Sequence, residues 1–326
     1  MAFVIDSAEL MNARDLLLKG DVVAMPTETV YGLAAGIESE AGLKKIFALK
    51  ERPFFDPLIV HVASFEQARS VTSEFPPVAD FLARWFWPGP LTLVLPKASH
   101  VNSLITSGLE TVGVRYPAHP LALDLIRLTG QPLAAPSANR FGRTSPSSAA
   151  HVRAEFPESD LLIVDGGPCQ VGLESTVISF APGEIRILRP GGVTEEDLQA
   201  ALLRWNGDVK IVRAQSNESP GHVKHHYMPS VPVAIVNARP TKELLAQIAT
   251  DLKMKSVPTQ ARELDLPDDA ASAARRLYAR MREVAETGAD LLYVIETPER
   301  TGGLWSALWD RLTRAASWTP SERSRL

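Results

Sequence analysis

The sequence predicts an α/β or α+β first domain built around a largely buried sheet, followed by a small α/β domain. Three observations predict it. Short apolar runs of strand character alternate with runs of helical spacing as far as Val212. A polar stretch rich in Ser, Asn, Pro, Gly and His then interrupts the pattern from Arg213 to Pro232. Beyond it, strand and helix alternate again over a segment too short for a large core of its own. The expected boundaries are therefore 1–212, a linker at 213–232, and 233–326.

The elements follow in order. A helix is expected from about Ser7 to Leu18, stopped at Gly20. Val22 to Met25 reads as a buried strand feeding a Pro-Thr-Glu-Thr turn. Leu43 to Leu49 has helical spacing and runs into Lys50-Glu51-Arg52-Pro53. Leu58 to Val62 is the next strand, and Ser64 with Gln67 forms a capping box for another helix. Leu91 to Leu95 and Thr111 to Arg115 read as strands, while Pro120 suits the first position of a helix ending at Gly130. Leu161 to Val164, Ser175 to Ile178 and Ile185 to Leu188 are further strands. Thr194 and Asp197 cap a helix reaching Arg204, and Val209 to Val212 follows. The second part offers strands at Val233 to Val236 and Leu291 to Ile295. Its helices are expected over Thr241 to Leu252, Ala270 to Thr287 and Leu304 to Ala316, with little between the first two.

Composition narrows the function classes. At 326 residues, with 45% hydrophobic and 22% charged, the chain is ordinary globular material. A net charge of -4 argues against a chain-wide grip on nucleic acid, leaving room only for a local basic cleft. Cys169 is the single cysteine, which excludes an intramolecular disulfide and reads as packing. No apolar run approaches membrane-spanning length, and the first residues lack the pattern of a secretory leader, so a cytoplasmic location is expected. Trp85, Trp87, Trp305 and Trp309 read as core and interdomain packing. The patterns GxxxxGK[ST], GxGxxG and GxSxG are all missing, which disfavours a P-loop, a dinucleotide fold and a hydrolase elbow. His225 and His226 are adjacent and have no carboxylate or thiol at ligand spacing, so no metal site is expected there.

Hydroxyls and cations gather on turns after apolar runs, where a scaffold presents groups to a ligand. Thr27, Thr29 and Tyr31 either build a local turn or face a ligand. Lys50 and Arg52 either solvate a helix end or meet phosphate oxygens, Arg as a planar fork and Lys as a point charge. Arg115, at the end of a strand, is costly to bury alone; it is a carboxylate clamp or half of a structural salt bridge. Ser137, Asn139, Ser145 and Ser175 add short donors, and Arg189 adds a cation before Gly191-Gly192. His61, within an apolar strand, reads as a structural residue.

These residues stand in a recognisable order. Pro-Thr-Glu-Thr-Val-Tyr-Gly-Leu (26–33), Lys-Glu-Arg-Pro (50–53), Pro-Leu-Ile-Val-His (57–61), Phe-Trp-Pro-Gly-Pro-Leu-Thr (86–92), Val-Arg-Tyr-Pro (114–117), Ala-Pro-Ser-Ala-Asn (135–139), Glu-Ser-Thr-Val (174–177) and Leu-Arg-Pro-Gly (188–191) resemble the YrdC/Sua5 family of threonylcarbamoyl-AMP synthases. Ser219-Pro220-Gly221 with His226-Tyr227-Met228-Pro229 is similar to the linker of its two-domain, Sua5-type members. Ala273 to Tyr278 and Asp310 to Ala316 resemble their C-terminal domain. The resemblance implies a YrdC-like open twisted mixed sheet with helices, plus a smaller Rossmann-like α/β C-terminal domain. It also implies a reaction in which L-threonine, bicarbonate or CO2 and ATP, with Mg2+, give threonylcarbamoyl-AMP and pyrophosphate. The product feeds the t6A37 modification of tRNA through a downstream tRNA threonylcarbamoyl transferase, with weak or no direct tRNA binding.

Carried over position by position, the resemblance implies Thr29, His61, Arg115, Ala135 and Ser175 for threonine. For ATP it implies Lys50, Arg52, Asp56, Thr111, Ser137, Asn139, Ser145 and Arg189, with Tyr227 closing over the nucleotide. Asp56 departs from the family, which often has Asn or His there; an acidic group repels polyphosphate unless a cation intervenes. Lys50 and Arg52 are the candidates for electrostatic catalysis, and no protein ligand to metal is identified. The rival readings are a non-catalytic RNA-binding module using the same cleft, and a carbamoyl-phosphate-handling domain. Against the first stand the acidic balance and the lack of an aromatic-plus-basic stripe. The Sua5-type tail argues against the second.

Overall fold

The computed structural model describes residues 7–53, 56–214 and 226–320. The Ser219-Pro220-Gly221 motif and His225 lie outside the described residues. The elements begin with α1 (Ser7–Leu18), β1 (Val23–Met25), β2 (Gly32–Gly36), α2 (Glu40–Lys50), β3 (Ile59–His61) and α3 (Phe65–Ser70). Next come α4 (Pro77–Phe86), β4 (Leu91–Pro96), α5 (Ser103–Thr106), β5 (Thr111–Arg115), α6 (Pro120–Thr129), β6 (Leu133–Ala134), α7 (Ala149–Glu155) and β7 (Leu162–Ile163). The series continues through β8 (Thr176–Ala181), β9 (Glu184–Arg189), α8 (Glu195–Leu202) and β10 (Lys210–Arg213). The remainder is β11 (Val233–Val236), α9 (Lys242–Asp251), β12 (Ala261–Glu263), α10 (Ala270–Glu286), β13 (Leu291–Ile295) and α11 (Gly303–Ala315). The chain divides into two compact units, Met1–Phe141 with Ser145–His222, and Gly142–Thr144 with Val223–Leu326.

Among the described residues, ten strands of the first unit form one mixed sheet in the order β10-β9-β8-β4-β5-β3-β6-β2-β1-β7. Successive side chains point to opposite faces, and the core divides accordingly. Val23, Met25, Ala34 and Leu133 face one side and pack with Leu17, Leu125 and Ile126 of α1 and α6. Ala24, Leu33, Val60, Leu93 and Val114 face the other, with Leu43, Ile46, Leu82 and Leu198 of α2, α4 and α8. Local signals set several boundaries as expected. Ser64 accepts from Gln67 N, Pro120 opens α6, Gly130 ends it at φ 67°, and Thr194 with Asp197 forms a full capping box.

The sequence reading passed over α4, α5, α7, β2 and β12. β2 is Gly-Leu-Ala-Ala-Gly, poor in strand formers, and is a strand because both neighbours pair with it. β12 fills the interval expected to be nearly empty, and completes a parallel three-stranded sheet, β11-β13-β12. That second sheet is covered on one face by α9 through Ile248, and on the other by α10 through Val284. Trp87 is buried as expected, its Nε1 donating to Leu91 O at 2.7 Å. Trp85 is not: it is 47% exposed, with the Arg204 guanidinium 5.3 Å above its ring. Among the described residues no helix is long and apolar enough to cross a membrane.

Candidate active site

The sheet brings four strand ends together. His61 pairs in register with Arg115 across β3 and β5, and Arg115 with Thr92 across β5 and β4. Leu91 stands opposite Thr176 at the start of β8, next to Ser175. Thr92 Oγ1 and Ser175 Oγ are 2.7 Å apart, and Arg189 Nη2 donates to Ser175 O at 3.0 Å and to Ser175 Oγ at 3.2 Å. Gly191 is required beside them, since a Cβ there would lie 2.3 Å from Glu174 O. Ser145 Oγ donates to Glu174 Oε1 at 2.6 Å, which ties the loop before α7 to the same strand end.

The Pro-Thr-Glu-Thr turn covers this end. Thr27 Oγ1 donates to Val30 O at 2.6 Å and accepts from Thr29 N and Val30 N, both at 3.2 Å. Thr27 is thus the builder of the turn, as an ST-type motif. Thr29 Oγ1, 2.9 Å from Thr27 Oγ1, keeps acceptor capacity. Glu28 projects onto Arg115, with Oε1 2.7 Å from Arg115 Nη2 and both side chains almost wholly buried, at 7% and 5% exposure. The contact is not aligned as a hydrogen bond. Among the described residues, Arg115 Nε and Nη2 and both Glu28 carboxylate oxygens have no hydrogen-bond partner.

His61 is buried and donates from Nδ1 to Ile59 O at 3.2 Å. Burial, with Arg115 as the second cause, pushes its imidazole down to about 3. The ring is therefore neutral near pH 7, and Nε2 carries a lone pair. The sign of the linkage follows. Between about 3 and the free value of 6.5, the unfolded chain binds a proton that the folded one refuses. Stability is thus expected to fall as pH drops through that window, by at most ~1.4 kcal/mol per pH unit. Denaturant titration of His61→Asn beside the wild type checks it: the variant's acid slope is expected to be shallower, and identical slopes would rule the idea out.

A second cluster forms where α2 ends. Lys50 is 1% exposed, and its Nζ donates to Ser137 O at 2.5 Å and Asn139 O at 2.6 Å. Desolvation first, then Arg52, pulls its ammonium well below the ordinary lysine range. Arg52 donates to Asp56 O and Pro57 O at 3.1 and 3.0 Å and pairs with the Asp56 carboxylate at 2.8 Å. The Asp56 carboxylate is thus neutralised by Arg52. Asn139 Nδ2 donates to Arg140 O at 2.8 Å. Ser137 bridges Gly32, and Ala135 N donates to Ile59 O at 2.9 Å.

Thr111 and Arg115 occupy opposite ends of β5, about 13 Å apart at ~3.3 Å per residue. Because Ile59 lies opposite Gly113, Thr111 points to the Pro57 end that Arg52 holds. The first unit thus has a hydroxyl, carboxylate and guanidinium cluster at one end of β5 and a two-cation cluster toward the other. Tyr227 belongs to the second unit. It has a left-handed backbone (φ 66°) and a ring buried against Tyr278 at 5.8 Å, with the Arg311 guanidinium at 5.3 Å. Three buried polar residues, Glu28 in the turn and Thr92 and Glu174 at strand ends, stand inside the quoted motifs without a role of their own in the sequence. Their one signal was a polar side chain inside an otherwise apolar or hydroxyl-rich run.

The geometry has counterparts among known proteins. Residues 15–191 match the model of the Sua5/YciO/YrdC family, described as telomere recombination. The chain belongs to that family. Residues 193–317 match a second model, described as threonylcarbamoyl-AMP synthase, C-terminal domain, so this is a two-domain, Sua5-type member. A threonylcarbamoyl-AMP synthase of Pyrococcus abyssi is 39% identical over 96% of this chain and 96% of its own. Its counterpart in Bacillus subtilis is 38% identical over 94% and 93%. The crystal structure of P. abyssi Sua5 complexed with L-threonine has a TM-score of 0.83 at 37% identity, covering 96% of both chains. The Sua5-type architecture of a large mixed sheet and a smaller parallel one is the fold described above.

Proposed function

We propose that this protein is an L-threonylcarbamoyladenylate synthase, a nucleotidyltransferase making threonylcarbamoyl-AMP and pyrophosphate from L-threonine, bicarbonate or CO2, and ATP. The observation that carries the reading is Arg115: a buried guanidinium with donors to spare, beside hydroxyls from two other strand ends. A small hydroxylated carboxylate suits it. The near full-length relatives bearing the synthase name support the same reading.

We assign Arg115, Thr29, His61, Ser175 and the backbone at Ala135 to threonine. The nucleotide is assigned to Lys50, Arg52, Thr111, Ser137, Asn139, Ser145 and Arg189, with Tyr227 from the C-terminal part. Lys50 acts chiefly by holding the Ser137–Asn139 turn, because two of its three donors serve that backbone. Asp56 acts by orienting Arg52. Residues 1–212 form the catalytic domain, 213–232 the linker and 233–326 the C-terminal domain. Mg2+ arrives on the phosphates of ATP itself.

The ammonium of threonine gives up a proton to water, and the free amine adds to CO2 with loss of a second proton to water, giving a carbamate. A carbamate oxygen then attacks the α-phosphorus, the bond to the bridging oxygen breaks, and pyrophosphate leaves. Positioning and charge stabilisation are what this chemistry asks of the protein. The setting is cytoplasmic, and the product passes to a downstream tRNA threonylcarbamoyl transferase with little or no direct tRNA binding. Pyrophosphate release from ATP tests the reading. It is expected to require both threonine and bicarbonate; release indifferent to either would overturn it.

A further inference from the structure

A buried ion pair that serves structure alone is normally completed by further hydrogen bonds, because desolvating two charges otherwise outweighs their attraction. The pair formed by Glu28 and Arg115 lacks that completion. Its members meet at 2.7 Å through Oε1 and Nη2. Arg115 Nε and both carboxylate oxygens of Glu28 are buried without hydrogen-bond partners. Glu28 is held in place by its backbone, since Val171 N donates to Glu28 O at 2.8 Å, and by the hydrogen bonds of Thr27 within the turn. One anion and one cation are thus fixed side by side, each with unused capacity, with the Thr29 hydroxyl in the same turn as Glu28 and the Ser175 hydroxyl bonded to Thr92, the register partner of Arg115.

An α-amino acid is the ligand that complements this arrangement. Its carboxylate and ammonium are separated by a single carbon, so a neighbouring cation and anion can engage both at once. A carboxylate alone would face Arg115 and be repelled by Glu28. We propose that Glu28 binds the α-ammonium of the substrate, forming with Arg115 a paired receptor for the zwitterion and selecting amino acids over simple hydroxy acids. This rests on the assignment of the cleft to threonine. It adds a residue and a selectivity that the assignment does not contain.

The experiment compares L-threonine with 3-hydroxybutyrate, which keeps the carboxylate and hydroxyl but lacks the ammonium. Binding to the full-length protein is measured by calorimetry, with folding followed by thermal melting. The wild type is expected to bind threonine at least tenfold more tightly than 3-hydroxybutyrate. In Glu28→Gln, threonine is expected to weaken at least tenfold, while 3-hydroxybutyrate is unchanged or tighter. Glu28→Asp, which keeps the charge on a shorter arm, is expected to retain a preference for threonine. Equal loss of both ligands in Glu28→Gln, or no loss of either, overturns the proposal. Should that variant fail to fold, the wild-type comparison still decides, because equal affinity for the two ligands overturns it without any mutation. A wild type that binds neither ligand brings down the threonine assignment itself, an outcome distinct from those.

Discussion

Arg115→Ala is expected to abolish threonine-dependent pyrophosphate release while leaving ATP binding intact. A buried, charge-assisted clamp contributes ~2–5 kcal/mol when one partner is removed, which corresponds to about 30-fold to 4,000-fold in threonine affinity. The same substitution strands Glu28 as a buried, unpaired carboxylate, at a cost of about 3–5 kcal/mol in stability. The double variant Arg115→Ala with Glu28→Gln is therefore expected to recover much of that stability and none of the activity. Arg115→Lys keeps the charge and loses the planar fork, so intermediate threonine affinity is expected. Calorimetry with threonine and with a non-hydrolysable ATP analogue, alongside melting curves, separates these effects. Unchanged threonine affinity in Arg115→Ala would sink the clamp.

Lys50→Met has the second large expected effect, and it should appear in the nucleotide rather than in threonine. The substitution keeps the volume and removes the donor to two backbone carbonyls, Ser137 O and Asn139 O. Each carbonyl left unsatisfied in the interior costs about 1–3 kcal/mol. The turn it holds carries two residues assigned to ATP, and a displacement of about 1 Å there can cost on the order of 10²-fold in rate. Loss of stability together with a lower kcat and a raised KM for ATP is the expected result, with threonine affinity close to the wild type. A Lys50→Met enzyme that melts like the wild type and keeps its KM for ATP would show that the turn does not depend on this side chain.

How much of this was legible in the chain depends on the range of each interaction. Helix ends came through because their causes are local: Ser64, Thr194 and Thr241 cap within three residues, and Pro120 and Gly130 bracket one helix by backbone preference alone. Elements whose causes are distant did not. β2 is built of Gly, Leu and Ala and exists through its pairing with β1 and β6. β12 is short and largely solvent-facing, and is a strand through its neighbour β13. Trp85 was read as buried by its residue type, whereas it takes the solvent side of α4 under Arg204.

The candidate site divides in the same way. By itself the sequence determined which chemistry was on offer: hydroxyls, two cations near the end of one helix and a strand-end arginine, in an order that carries its family resemblance. Only the tertiary structure decided what each charged group is bonded to. Lys50, at the end of α2, is bonded to the backbone of the Ser137–Asn139 turn, and Asp56 is paired with Arg52. Glu28, one letter inside a turn, became the buried companion of Arg115. The physical reason is that burial and pairing, which set the cost of holding a charge, arise from strands and turns far apart in the chain.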